Sequence, residues 1–138
     1  MIRLIAVGKV KEKYLKEGIS DFLDRISHYT KIEVIEVKDQ GVEKEGEKIL
    51  DLIKGFSIAL VIEGKEMGSI EFSKVLKNQP TITFIIGGPE GLSRKVIEKA
   101  NLKLSLSKMT FLHEMSQLIL LEQIYRSHTI LKGTSYHK

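Results

Sequence analysis

Short apolar, β-branched runs alternate with segments of helical period from one end of the sequence to the other, and few folds accommodate that order. Ile2–Val7 is an apolar run stopped by Gly8 and reads as a strand. Across residues 9–31, Leu15, Ile19, Phe22, Leu23 and Ile26 recur at helical spacing on one face. Residues 32–38 alternate apolar and charged side chains, the pattern of a half-buried strand toward a sheet edge. Residues 39–46 read as a polar loop, and 47–55 as a short helix stopped by Gly55. Residues 57–62 and 81–86 are continuous apolar runs suited to central strands. Ser69 and Ser93 are placed to cap helices through Phe72 and Leu76 and through Val96 and Ala100. Leu102, Leu104 and Leu106 alternate with polar residues as a fifth strand, and 111–131 form the longest helix, ended by Gly133. This βαβαβαβαβα order predicts an α/β layer fold, with a mainly parallel sheet of five to six strands and helices on both faces.

The pattern has no internal repeat or linker, so the 138 residues are expected to form one domain, 1–138. Apolar residues at 42% and charged residues at 29% are globular proportions and exclude a disordered chain. Apolar runs such as 118–121 and 84–86 fall far short of the ~20 residues of a membrane span. Met1-Ile2-Arg3 opens without a signal-peptide pattern, and the expectation is a cytoplasmic protein with no membrane contact. The absence of cysteine excludes disulfides, thiolate–metal sites and cysteine nucleophiles. His28, His113, His128 and His137 lack metal-ligand spacing, so no metal is expected. The net charge of +4 is compatible with an anionic partner but selects none.

In open α/β sheets ligands bind beyond the carboxyl ends of strands. Two segments in that position have unusual composition. The first is Ile86-Gly87-Gly88-Pro89-Glu90-Gly91-Leu92-Ser93, where glycines let the backbone approach a ligand and Pro89 stiffens the turn. The second is Leu106-Ser107-Lys108-Met109-Thr110-Phe111, between the fifth strand and the last helix. The glycine turn is not a P-loop, because Leu92 follows Gly91 where Lys would be needed. Its spacing also misses the dinucleotide fingerprint, and no acidic residue follows about twenty positions on. Taken alone, it favours a plain strand-to-helix connection. No Gly-x-Ser-x-Gly elbow is present. His113 reads as a cap or surface residue and His128 as a packed one.

Met115, Leu118, Ile119, Leu120, Leu121, Ile124 and Tyr125 cover more than one face of the last helix, where a surface helix shows one stripe. That helix is therefore central to the fold or packs on a second copy, and a homodimer through it is the expectation. The closing Tyr136-His137-Lys138 combines an aromatic ring, an imidazole and a cation, and with Arg126 it offers groups that can stack on a base and meet phosphate.

Four ordered motifs go further. Ile85-Ile86-Gly87-Gly88-Pro89-Glu90-Gly91-Leu92-Ser93, Leu104-Ser105-Leu106-Ser107-Lys108-Met109-Thr110, Leu121-Glu122-Gln123-Ile124-Tyr125-Arg126 and Tyr136-His137-Lys138 together resemble the family of ribosomal RNA large-subunit methyltransferases H, of the SPOUT class. The opening Leu4-Ile5-Ala6-Val7-Gly8-Lys9 is similar to that family's first strand. The resemblance implies an α/β domain with a C-terminal trefoil knot, working as a homodimer. It implies methyl transfer from S-adenosyl-L-methionine to N3 of pseudouridine 1915 in 23S rRNA of the assembled ribosome. By position it assigns the cofactor pocket to Leu60, Gly87, Gly88, Leu106, Ser107, Lys108, Met109, Thr110 and Phe111, with Leu112 beside them. It assigns the RNA-facing groups to Arg126, Tyr136, His137 and Lys138, reaching over the partner's pocket. Of these, His137, Tyr136 and Arg126 carry the catalytic assignment, with His137 as base or orienting group and Glu90 second as proton acceptor.

The sequence departs from the family at three places. Leu112-His113 stands where Pro-His is common. Met115-Ser116-Gln117-Leu118 lacks an early arginine of the last helix. The chain is also shorter, chiefly around 39–47. The first two departures motivate an alternative, a non-catalytic ribosome- or RNA-binding module with the same fold. A small nucleotide-binding protein is a third reading, and the missing fingerprint argues against it.

Overall fold

The apolar runs become one parallel sheet in the computed structural model, which describes Met1–Lys138. The order is β1 (Ile2–Val7), α1 (Lys13–Ser27), β2 (Ile32–Val37), α2 (Val42–Leu52), β3 (Phe56–Lys65), α3 (Ser69–Lys77), β4 (Ile82–Ile86), α4 (Arg94–Lys99), β5 (Leu102–Leu104) and α5 (His113–Lys132). The sheet order is β2-β1-β4-β3-β5, and every pairing is parallel. β4 is central and buried along its whole length, which is why it reads as unbroken apolar sequence. β2 lies at an edge, which is why it alternates.

Strand pleating sends alternate residues to two cores. Leu4, Phe84 and Ile86 pack with Ile19 and Ile26 of α1, Phe72 and Leu76 of α3, and Leu120, Leu121 and Ile124 of α5. On the other face Ile5, Val7, Val37 and Ile85 pack with Ile49 of α2 and Val96 of α4. No helix is long and apolar enough to cross a membrane.

Two local expectations are corrected. The region 39–46 is not all loop, since α2 starts at Val42. The Glu45 carboxylate accepts from the backbone N–H groups of Gln40 and Gly41, both at 2.9 Å. Gly46 lies inside the helix because a Cβ there would collide with the Ser93 hydroxyl, which itself caps α4 by accepting from Val96 N–H at 3.3 Å. Ser69 does not cap α3. Gly68 occupies that position, and the Ser69 hydroxyl donates to Gln123 Oε1 of α5 at 2.7 Å.

One chain covers part of the apolar surface of α5, burying Leu120, Leu121 and Ile124 and leaving Met115, Leu118, Ile119 and Tyr125 half-buried. The helix lies between α1 and α3 and against the sheet, so several of its sides are covered. His128 on it stacks on Tyr29, with ring centroids 5.5 Å apart and planes 11° apart, and its Nε2 is buried without a partner. Burial, with a smaller push from the N-terminal ammonium, lowers its pKa below the ordinary 6.5. The unfolded chain thus binds this proton more readily, so stability is full above the ordinary histidine value and falls as pH drops below it. His128→Phe, which keeps a stacked ring, is expected to flatten that acid decline in thermal melts between pH 5 and pH 8. An unchanged decline would place its origin elsewhere.

Candidate active site

The carboxyl-terminal parts of β3 and β4 and the start of α5 surround an open cavity of about 440 Å³, where ligands of open α/β sheets bind. Three backbone features shape it. The first is the Gly87–Gly91 turn, closed by a Gly91 N–H to Gly88 carbonyl bond of 3.0 Å and by an isolated bridge between the same residues. A Cβ on Gly87 would lie 2.7 Å from both the carbonyl carbon and the oxygen of Gly91, so the turn closes only around glycine.

The second is a bulge at the end of β3. Leu104 of β5 pairs with Leu60 and again with Lys65, so Val61, Ile62 and Glu63 bow out into the cavity wall. Gly64 allows the strand to return, because a Cβ there would lie 2.7 Å from the Lys103 carbonyl. The third is the connection 105–112 between β5 and α5. It is held by Ser105 N–H to the Lys65 carbonyl at 2.9 Å, Ser105 Oγ to the Ser107 carbonyl at 2.9 Å, and Met109 N–H to Ser107 Oγ at 3.0 Å.

The structure brings the two segments singled out in the sequence to one place. Leu60, Gly87, Gly88, Thr110 and Phe111 line the main cavity. Leu106, Ser107 and Met109 line an adjoining recess of about 100 Å³ that shares Leu60, Thr110 and Phe111 with it. Lys108 lines neither. The bulge residues Val61, Ile62 and Glu63 were not singled out, because a bulge leaves no mark on an apolar strand pattern. Pro89, Glu90 and Leu92 join the wall, and so does His113 at the start of α5. The charged side chains of the lining are the carboxylates of Glu63 and Glu90. No group of three or more histidines or carboxylates converges to hold a metal.

The second cluster lies along the C-terminal half of α5, from Glu122 onward, where the tail folds back onto its own helix. Glu122 is its hub. Its Oε2 accepts from Tyr136 OH at 2.7 Å and pairs with Arg126 Nη2 at 2.8 Å. Arg126 Nη1 is 3.0 Å from His137 Nδ1, and its guanidinium lies 4.9 Å from the Tyr136 ring centre. Tyr136 meets Tyr125 edge-on at 4.8 Å. The Glu122 hydrogen bond holds Arg126 above its ordinary pKa against opposing desolvation. Burial, then the bond to Glu122, raises Tyr136 and keeps its phenol a donor. Arg126, Tyr136 and His137 are thus assembled, while Lys138 extends exposed beyond them.

From Ser116, which also lines the cavity, the helix rises by roughly 9 Å to Glu122 and about 15 Å to Arg126, at about 1.5 Å per residue. Cavity and tail cluster are therefore separate on one chain.

Residues 1–137 match the family model described as "Predicted SPOUT methyltransferase". A protein from Carboxydothermus hydrogenoformans named ribosomal RNA large subunit methyltransferase H is 48% identical over 99% of both chains, and one of the same name from Streptococcus gordonii is 45% identical over 99% of both. A solved structure described as a probable methylase family protein from Haemophilus influenzae Rd KW20 superposes with a TM-score of 0.63 at 9% identity, covering 99% of this chain and 70% of the other, and shares the fold. The chain belongs to the SPOUT methyltransferase family. Within that class its end-to-end likeness is to the proteins named ribosomal RNA large subunit methyltransferase H. Those alignments run to 157 positions against 138 residues here, so they carry gaps on this chain's side.

Proposed function

We propose that this protein methylates N3 of pseudouridine 1915 in 23S rRNA of the assembled ribosome. In this reading it takes the methyl group from S-adenosyl-L-methionine and works in the cytoplasm as a homodimer. The observation that carries the reading is that two half-sites share no residue on one chain, an apolar cavity with carboxylates at the start of α5 and an aromatic–basic cluster from its midpoint onward. A second copy brings one protomer's tail to the other's cavity.

The cavity residues fit the donor. Its apolar walls, Leu60, Ile86 and Leu92, suit adenine, and Gly87, Gly88 and the 106–110 backbone suit close polar contact with ribose. Glu63 and Glu90 suit a positive sulfonium. The trefoil that the resemblance implies would involve the glycine turn and the connection 105–112, which line the same cavity.

When bound, the sulfonium donor supplies an already activated methyl group. The chain contributes alignment, worth up to about 7–11 kcal/mol of a barrier, and charge stabilisation. Arg126 keeps its proton, so at 3.0 Å it donates to His137 Nδ1, which leaves the ring proton on Nε2. His137 then acts as an orienting donor rather than a base. His137 Nε2–H and Arg126 hold the base's carbonyl oxygens as negative charge develops on deprotonation of N3. The N3 proton has the Glu90 carboxylate of the other protomer or solvent as acceptor.

The test is transfer of tritiated methyl from S-adenosyl-L-methionine to ribosomes of a strain lacking its own enzyme, with light scattering on the same protein. Label in 23S rRNA and a dimer mass are expected. A monomer at micromolar concentration overturns the composite site. Donor binding without transfer would leave an RNA-binding module.

A further inference from the structure

A second groove, of about 290 Å³, opens on the sheet face that carries α1 and α5, lined among others by Ala6, Gly8, Lys9, Lys16, Glu36 and Gln117. Gln117 is 6% exposed. Its side-chain amide makes no hydrogen bond within the chain, yet its polar atoms are not sealed off, since His128 Nε2 is the one buried side-chain atom left both sealed and unpartnered. That amide therefore opens into the groove. Lys9 and Lys16 are exposed at the rim, and neither is ion-paired. Glu36 is the lining carboxylate, so the rim carries a surplus of positive charge.

The groove adjoins the donor cavity. Gln117 follows His113 by one helical turn, and such residues lie about 5–6 Å apart on one helix face. His113 lines the cavity and Gln117 the groove. Gly8 belongs to the groove, and a Cβ on it would lie 3.8 Å from His113 Nε2. A strand placing one base at the cavity can thus continue across Gly8 into the groove.

We propose that this groove is a subsite for the RNA next to the reacting nucleotide. The Gln117 amide pairs with a base edge, and Lys9 and Lys16 meet the flanking phosphates. An amide donates and accepts side by side, which matches the edge of a base, whereas ammonium groups act on phosphates as point charges. The proposal rests on the rRNA methyltransferase reading and specifies where the strand runs.

The test is equilibrium binding of the dimer to unmodified ribosomes across a salt series, with S-adenosylhomocysteine affinity measured by calorimetry in parallel. Lys9→Gln and Lys16→Gln are expected to weaken ribosome binding severalfold each, the pair tenfold or more, and to lower the salt slope by about 0.7–0.9 per contact. Gln117→Leu is expected to weaken binding about three- to tenfold with an unchanged salt slope. Gln117→Asn, which stays polar but reaches less far, should fall between it and the wild type. All should bind S-adenosylhomocysteine within twofold of the wild type. Wild-type ribosome affinity in these variants overturns the subsite alone. Millimolar inorganic phosphate that occupies the groove while the lysine variants keep their ribosome affinity would reduce it to a simple anion site, and also overturns the proposal. A wild-type dimer that binds donor but no ribosome overturns the rRNA reading along with it.

Discussion

Gly87→Ala is expected to lower donor affinity by about 100-fold or more, the scale on which a displacement of about 1 Å acts at such sites. The new methyl carbon would lie 2.7 Å from the carbonyl of Gly91 and 3.1 Å from Leu92 Cδ2. The first obstacle is backbone, which has no rotamer to give. The turn must open, and the Gly91 to Gly88 bond at 3.0 Å is the contact that opens with it. Because the same turn is a wall of the cavity, the displacement reaches the ligand directly. Stability should fall by about 1–3 kcal/mol, as for other overpacked sites. Gly133→Ala is the control. Gly133 is left-handed, with φ +74, but a Cβ there meets open space at the C-cap of α5. It should cost about 1 kcal/mol of stability and leave calorimetric donor binding intact. A folded Gly87→Ala protein with wild-type donor affinity would remove the glycine turn from the donor site.

Strand residues declared themselves in the sequence because burial on both faces leaves one kind of solution, as in Thr83-Phe84-Ile85-Ile86. The two segments lining the cavity were legible for a related reason, since glycine and serine after a buried strand mark backbone under geometric demand. What escaped depended on partners distant in sequence. Gly46 looks like a helix breaker until Ser93 packs against it. Ser69 looks like a cap until Gln123 Oε1 accepts its hydrogen bond. The β3 bulge exists only because Leu104 pairs twice. Arg126 and Tyr136 stood out as residue types, but Glu122, which holds them together, looked like one more charge on a helix. The spacing of tail and cavity along α5 is likewise a property of the folded helix.

Removing Tyr136–Lys138, or making His137→Ala, should cut methyl transfer by about 10²–10³-fold, the range for losing a donor that holds developing negative charge, while donor affinity stays within twofold of the wild type. The tail touches Glu122, Tyr125 and Arg126 and no residue lining its own cavity, whose last residue on α5, Ser116, lies roughly 9 Å before Glu122 along the helix. Glu122→Gln keeps the shape but loses the charge that pairs with Arg126. It should therefore lower transfer less than His137→Ala, and leave KM for the donor unchanged. The stronger test mixes two inactive proteins. A protomer lacking the tail keeps its cavity, and a Gly87→Ala protomer keeps its tail. Random exchange makes half of the dimers mixed, and each mixed dimer restores one of two composite sites, so roughly a quarter of wild-type activity should return in a two-fold assembly. A site built within one chain predicts no recovery, because each protomer would keep its own defect.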